Sequence, residues 1–188
     1  MPRPADPARR RFVLSTYGLG TAAITTGLAA CAGETSSDRG LRFATLAAAE
    51  EELTRLAAAK ELVSAAAWSW PQTLVHCAQS IEYSMTGFPS PRSELFQETI
   101  GSLAFGAFAW RGRMTHDLAE PIPGAPALER PGDAAQSVER LRASMRAFGG
   151  WSKPMRAHFA YGRLTHEQYE LAHAMHLANH LSSFRAKA

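Results

Sequence analysis

Apolar residues recur at helical spacing along most of the chain, whereas the strict alternation typical of strands is scarce. The first such segment covers residues 43–67 and is rich in Ala, Leu and Glu, which favour helices. Leu46, Leu53 and Leu56 recur there near the helical period. The pattern therefore predicts a first helix over residues 43–67.

Capping residues and glycines mark the limits of the next two helices. Ser69 offers an N-capping hydroxyl and Pro71 lies in the first turn after it, which predicts a second helix running to about Met85. A third helix is predicted over residues 93–114. The glycines that can interrupt it are Gly101, Gly106 and Gly112.

A proline-rich connection separates these helices from the last two. Residues 117–133 contain four prolines and form a long link for a small domain, so this is either an ordered functional loop or a mobile one. A fourth helix is predicted over residues 134–148. Thr165 and Gln168 form a capping box before a last helix, predicted over residues 166–184. These elements predict an all-α fold, an antiparallel helix bundle.

The N-terminal segment has the order of features of a bacterial export signal. Arg9 and Arg10 lie in a positive stretch before a short, moderately apolar run over residues 15–30. A membrane-spanning helix needs about 20 strongly apolar residues, so this run does not fit one. The arginine pair looks like a twin-arginine signal, and Leu-Ala-Ala-Cys ending at Cys31 looks like a lipobox. An apolar helix that ends by chance in Ala-Ala-Cys is the alternative.

The signal implies a three-part chain. Residues 1–30 are the signal segment, residues 31–42 a flexible tether and residues 43–188 the helical domain. We expect an exported lipoprotein that is held on the membrane by lipid at Cys31 and faces the periplasm. Once Cys31 is acylated, Cys77 is the remaining thiol, so the mature monomer would have no internal disulfide.

The formal net charge of +3 belongs to the signal segment. Residues 1–30 contain four arginines and one aspartate, and the rest of the chain has equal numbers of basic and acidic residues. A domain that binds nucleic acid carries its own basic surface. The charge distribution therefore argues against nucleic acid as a partner.

Three of the seven histidines lie within eight residues of one another on the predicted last helix. His173, His176 and His180 fall within an arc of about 60° on that helix. Leu177 and Leu181 occupy the neighbouring sector, so the histidines lie on the inward stripe. Buried imidazoles need hydrogen-bond partners or a metal, and imidazoles four residues apart on a helix can bind one ion. The spacing favours a metal over histidines that satisfy one another.

The second helix offers a possible partner for these histidines. Opposite its apolar stripe lie Gln72, His76, Gln79 and Tyr83, which recur at helical spacing. This face is either solvated or directed into a polar cavity, and periodicity alone does not decide between the two.

Other candidate residues carry weaker signals. Cys77 follows His76, but consecutive helical residues point about 100° apart, so a catalytic pair is not expected and Cys77 is predicted to be a small buried residue. His158 and Tyr161 precede the last helix in a loop that would either cover a site or fix the entry of the chain. His116 is predicted to be a surface residue.

Three stretches of the sequence resemble an uncharacterised bacterial family that belongs to the DinB-like metalloenzymes. They are residues 70–84, His-Phe-Ala-Tyr-Gly-Arg-Leu-Thr at residues 158–165, and the histidines of residues 173–180. The similarity extends over roughly residues 43–184, although the middle third contributes few distinctive residues. The resemblance implies an up-down-down-up four-helix bundle.

The same resemblance implies a metal site. In that superfamily a histidine of the second helix joins a His-x-x-x-His pair of the last helix to bind a divalent metal, which implies His76, His176 and His180 here. Asn179 stands where relatives often carry another histidine, and Ser182-Ser183 replaces a common Arg-Gln. These departures leave the three ligands intact and put the residues around them in question.

Three neutral imidazoles suit zinc, nickel or iron, and with an open fourth position they would form a catalytic site. His173, Gln79 and Tyr83 are then candidates to orient ligands or substrate, and His173 is also a candidate fourth ligand. The implied function is a metal-dependent hydrolase or transferase acting on an unidentified small molecule. The alternatives are a non-catalytic lipoprotein with a closed or degenerate site that binds a ligand or partner, and a relative whose histidines only satisfy one another. A homodimer through a helix face is also compatible with such bundles.

Overall fold

The computed structural model describes residues 38–128 and 133–187. The predicted export signal, with Arg9, Arg10 and Cys31, lies outside the described residues. Across the described ranges, none of the helices is long and apolar enough to cross a membrane.

The described chain is mostly helical, as predicted, with two short strands. A π-helical turn, Gln97–Gly101, connects the third and fourth helices. The helices and strands are α1 (Leu46–Ala57), β1 (Leu62–Ser64), α2 (Trp70–Thr86), α3 (Glu94–Phe96), α4 (Ser102–Arg111), α5 (Ala134–Gly149), α6 (His166–Leu181) and β2 (Phe184–Ala186).

Two helices are shorter than the sequence predicts. The first ends at Ala57 rather than at residue 67, and the last ends at Leu181 rather than at residue 184. The residues beyond both ends form β1 and β2, which pair antiparallel with Ser64 opposite Phe184. Such a pairing joins segments far apart in sequence, so local helix propensity cannot reveal it.

Both predicted capping boxes are present and set the starts of α2 and α6. Ser69 caps α2, where its hydroxyl accepts from the Gln72 amide and the Gln72 side chain returns to the Ser69 amide. Thr165 and Gln168 make the same reciprocal pair at α6. These bonds satisfy amides that an α-helix leaves free in its first turn. The caps therefore fix the register of the two helices that carry most of the histidines.

The predicted third helix is interrupted at one of its glycines. The π-helical turn ends at Gly101, where an added Cβ would lie 1.9 Å from the carbonyl oxygen of Ala160. The helix can approach the 158–162 turn so closely because Gly101 has no side chain. Gly112 then ends α4 with a left-handed φ of 60°.

A hydrophobic core joins the four long helices. Helix α2 packs on α5 and α6, and α1 packs on α6 and α5. Among its fully buried side chains are Leu53, Leu74, Leu141, Phe148 and Leu181. The core gives α2 and α6 a shared contact surface, and the up-down-down-up order of a DinB-like bundle stays a prediction.

The described end of the predicted tether lies against this core. The Arg39 amide donates to the carbonyl of Ser182 at 3.0 Å, and the Leu41 amide donates to the Ser182 hydroxyl at 2.9 Å. Arg39 also forms an ion pair with Glu52 of α1. The chain is therefore attached to the domain from at least Arg39 onward.

Candidate metal centre

Four histidines from three parts of the chain meet at one point. His76 belongs to α2, His176 and His180 belong to α6, and His116 lies in the irregular segment after α4. One ring nitrogen of each lies within 4.8 Å of the corresponding nitrogen of every other. The structure therefore brings together the three histidines singled out from the sequence and adds a fourth.

We call these four residues the histidine cluster. Two of the distances between their ring nitrogens are close to those expected around one shared metal ion. The Nε2 atoms of His76 and His176 lie 3.2 Å apart, as do those of His116 and His180. Four ligand nitrogens placed tetrahedrally at about 2.1 Å from a metal would be about 3.4 Å from one another. The cluster is thus compact enough to hold a metal ion with small side-chain adjustments.

His116 corrects an expectation from the sequence. The sequence predicts a surface residue, but its imidazole lies 5.1 Å from both His176 and His180, measured between ring centroids. Its Nδ1 lies 3.0 Å from the side-chain nitrogen of Asn179. The residue follows α4 in a segment without periodicity, so the sequence carries no signal for the direction of its ring.

An aromatic side chain covers the cluster. The ring of Trp68 lies 4.8 Å from that of His76 and is nearly parallel to that of His180, at an angle of 3° and a distance of 6.1 Å. Trp68 is half-buried and immediately precedes the residue that caps α2. Its position shields one side of the cluster from solvent, a role that the sequence did not indicate.

Burial keeps the four imidazoles uncharged at neutral pH. Desolvation, followed by the proximity of His116, lowers the pKa of His76 to about 4. Burial and the neighbouring imidazoles hold the pKa values of His176 and His180 well below the ordinary 6.5. Burial also lowers the pKa of His116, against the opposing influence of two acidic neighbours. Each ring therefore has a nitrogen lone pair available without first losing a proton.

One ring nitrogen of His76 has no hydrogen-bond partner among the described residues. This nitrogen, Nδ1, is buried. Leaving such a group unpaired costs about 1–3 kcal/mol. A metal bound through Nε2, the nitrogen that meets His176, would leave Nδ1 unpaired as well, so this cost does not distinguish a metal from hydrogen bonding within the cluster. A donor set of four neutral imidazoles suits zinc, nickel or ferrous iron.

The other residues considered from the sequence lie outside the cluster. His173 points its Nε2 at the Ser84 hydroxyl, 3.1 Å away, so His116 rather than His173 is the fourth imidazole. Tyr83 packs against Phe88, and Gln79 is buried on α2 with no hydrogen bond to the cluster within the described ranges. Cys77 is buried in the core, as expected, where desolvation raises its pKa.

A cavity of about 190 Å³ opens beside the cluster. His76, His116 and His176 form part of its wall. Much of the remaining wall is apolar or aromatic, and Arg92 and Glu120 add one positive and one negative side chain. The proline-rich connection contributes residues 120–123, which are described and line the cavity. From α2, His76 and Ser80 therefore line this cavity, whereas Gln72, Gln79 and Tyr83 are not part of its wall.

The loop before α6 forms another part of this wall. His158 and Tyr161 stack at 4.2 Å with an angle of 7° between their rings, and both line the cavity. The amides of Ala160 and Tyr161 each lie 3.1 Å from Nδ1 of His158. The backbone of the turn closes between His158 and Gly162. These contacts hold the loop in place as part of the cavity wall. Burial lowers the pKa of His158 in this loop to about 3.

Comparison with known proteins identifies the family. No curated protein and no solved structure gives a significant match to the chain. A family model described as "Protein of unknown function (DUF1569)" matches residues 35–187, which include the histidine cluster and every residue of the cavity wall. The match covers well over half of the sequence, and the chain therefore belongs to the DUF1569 family.

Proposed function

We propose that the histidine cluster binds one divalent metal ion and that the adjoining cavity binds a small-molecule substrate of a metal-dependent hydrolase or transferase. The observation that carries this proposal is the convergence of four uncharged imidazoles from separate elements on the wall of one cavity. The two Nε2–Nε2 distances of 3.2 Å, between His76 and His176 and between His116 and His180, support it, because they are close to the spacing of ligand nitrogens around one ion.

Each part of the site has a defined task in this proposal. His76, His116, His176 and His180 would hold the ion. A divalent ion would supply Lewis-acid chemistry, polarising an oxygen or lowering the pKa of a water or thiol. Trp68 keeps water from one side of the cluster. Tyr161 and His158 present a rigid wall against which a substrate can be oriented.

The number of ligands bears on whether the site is catalytic. Four imidazoles complete the shell of a tetrahedral zinc ion, whereas a five- or six-coordinate ion keeps positions for substrate. Three of the four histidines line the cavity, which favours a site that stays accessible. We therefore propose nickel or ferrous iron bound by four histidines, or zinc with one imidazole that gives way to substrate. A closed four-histidine zinc site corresponds to the non-catalytic alternative.

Metal content of the full chain, measured by mass spectrometry, tests the binding. We expect about one metal ion per chain in the wild type and none in the His176→Ala variant. The matched control is His166→Gln, which changes another α6 histidine, one that contacts Phe148 rather than the cluster. Folded wild-type protein that takes up neither zinc, nickel nor iron would contradict the proposal.

Cobalt substitution tests whether the site is open. Tetrahedral cobalt(II) absorbs visible light strongly, whereas five- and six-coordinate cobalt(II) absorbs weakly. We expect weak absorption in the wild type, or strong absorption that changes when a cavity ligand is added. Strong absorption that is indifferent to every ligand would identify a closed site and favour the binding protein over the enzyme.

Two further proposals, on the superfamily and on the cellular location of the protein, are supported by the sequence. We propose that the family belongs to the DinB-like superfamily with its up-down-down-up bundle, because His76, His176 and His180 match that ligand pattern. We also propose that the protein is an exported lipoprotein, supported by the twin-arginine pattern and the lipobox at Cys31. Membrane fractionation of the full chain expressed in a bacterial host tests this. Cys31→Ser should move the protein out of the membrane fraction.

A further inference from the structure

The turn before α6 fixes the tautomer of a buried histidine that faces the cavity. His158 is 8% exposed, and two backbone amides point at its Nδ1. An amide N–H can only donate, so Nδ1 must accept and the ring proton of the neutral imidazole must lie on Nε2. Within the described part of the chain, Nε2 has no hydrogen-bond partner. His158 therefore offers the cavity a donor whose direction is set by the backbone.

A positive side chain lies on the same part of the wall. The amide of Arg92 donates to the carbonyl of Phe159 at 2.8 Å, which attaches it next to His158. Its guanidinium lies 5.6 Å from the ring of Phe96 and makes no ion pair with a carboxylate of the described residues. Glu120, the acidic residue of the wall, lies on the proline-rich connection.

The net charge of the cavity with a metal bound indicates which sign of charge a small-molecule ligand would carry. The histidine cluster contains no carboxylate, so the acidic groups near a divalent ion bound there would be Asp117 and Glu120, which act on His116 from outside the cluster. Arg92 and Glu120 contribute one charge of each sign to the wall, so the cavity keeps a positive net charge when the ion is present. A buried charge is stable when an opposite charge accompanies it. This step rests on the proposed metal binding.

The remaining wall and the size of the cavity limit the rest of the ligand. Phe96, Met114, Ile122 and Tyr161 present apolar or aromatic surface. The volume of about 190 Å³ is similar to that of cavities, roughly 150 Å³, that accept one benzene ring. An occupant of this size has a single ring or a short chain.

We propose that the cavity binds a compact carboxylate with an apolar body, and that Arg92 and the Nε2–H of His158 are the groups that bind its carboxylate. Arg92 supplies the opposite charge and His158 supplies a directed hydrogen bond. The apolar body packs against the apolar wall that includes Phe96, Met114 and Ile122.

Calorimetric titration with benzoate and with benzamide tests the charge requirement. The two probes have nearly the same shape and differ in charge. We expect benzoate to bind the metal-loaded full chain at least tenfold more tightly than benzamide, and Arg92→Gln to remove most of that difference. Arg163→Gln is the matched control, because Arg163 is exposed and lies outside the cavity wall. Equal binding of the two probes, binding of neither, or no effect of Arg92→Gln would overturn the proposal.

Nitrogen NMR of the histidine rings tests the donor without a mutation. His158 should show a protonated Nε2 and an unprotonated Nδ1, and benzoate should shift the Nε2–H resonance. A protonated Nδ1, or an Nε2–H signal that is unaffected by bound benzoate, would contradict the assignment. His158→Gln keeps an amide donor and should retain more benzoate affinity than His158→Phe.

The same titrations on metal-free protein separate this proposal from metal binding. Benzoate affinity that depends on Arg92 in a protein that takes up no metal would refute the metal site alone. Stoichiometric metal together with equal binding of benzoate and benzamide would refute the carboxylate site alone.

Discussion

The close approach of the π-helical turn to the 158–162 turn predicts opposite effects for two glycine substitutions that lie five residues apart. In Gly101→Ala, the new Cβ would lie 1.9 Å from the carbonyl oxygen of Ala160 and 2.9 Å from its carbonyl carbon. An ordinary van der Waals contact of such a Cβ is about 3.4–4 Å. The obstacle is backbone on both sides, so the helix and the turn must separate by more than an ångström.

The expected size of the effect follows from that displacement. Overpacking of a buried site costs about 1–3 kcal/mol, and the backbone obstacle places Gly101→Ala at the upper end of that range. For a domain of this size, about 3 kcal/mol lowers the Tm by roughly 6–12 °C. Moving Ala160 also disturbs the amide that lies 3.1 Å from Nδ1 of His158. We therefore expect benzoate binding to weaken along with stability.

Gly106→Ala is the matched control. Gly106 lies in α4, which directly follows the π-helical turn, and it is exposed, with nothing within 4 Å of its added Cβ. Alanine replaces glycine there at a gain of about 0.5–1 kcal/mol. Urea unfolding of both variants, followed by circular dichroism, measures the two changes in the free energy of unfolding. A Gly101→Ala variant as stable as the wild type would refute the close packing of the helix on the turn.

Three further predictions concern capping, metal affinity and pH. Ser69→Ala removes the cap of α2 and should lower the free energy of unfolding by about 1 kcal/mol in urea titrations, and an unchanged midpoint would contradict the capping role. Asn179→Ala frees the ring of His116 and should weaken zinc binding roughly tenfold in competition with a fluorescent chelator, whereas equal affinity would show that Asn179 does not position the ligand. Burial lowers the pKa values of His158 and His173 to about 3, below the unfolded value of about 6.5, so the unfolded state binds more protons as the pH falls. Each should therefore cost the metal-free protein about 2 kcal/mol of stability between pH 7.5 and pH 5.0, and equal urea midpoints at the two pH values would argue against buried neutral imidazoles.

The sequence predicted the features that depend on neighbours along the chain. The starts of α2 and α6 follow from Ser69 and Thr165, whose hydroxyls meet amides three residues away wherever those segments fold. The spacing of His176 and His180 places their rings on one face for the same reason, since four residues make about one helical turn. The mostly helical fold also follows from local periodicity, because it needs no knowledge of distant contacts.

Tertiary structure decided which groups meet across elements. The last residues of the predicted first helix became β1 because they pair with Phe184 and its neighbours, more than a hundred residues away. His116 belongs to the cluster although it comes from a segment without periodicity. His173 shares a helix face with His176 and His180, yet its ring contacts Ser84 instead of the cluster. The cavity wall beside Arg92 also depends on a contact between distant segments, since the Arg92 amide donates to the carbonyl of Phe159. Periodicity tells which side chains share a face, whereas the partner opposite that face is fixed by long-range packing alone.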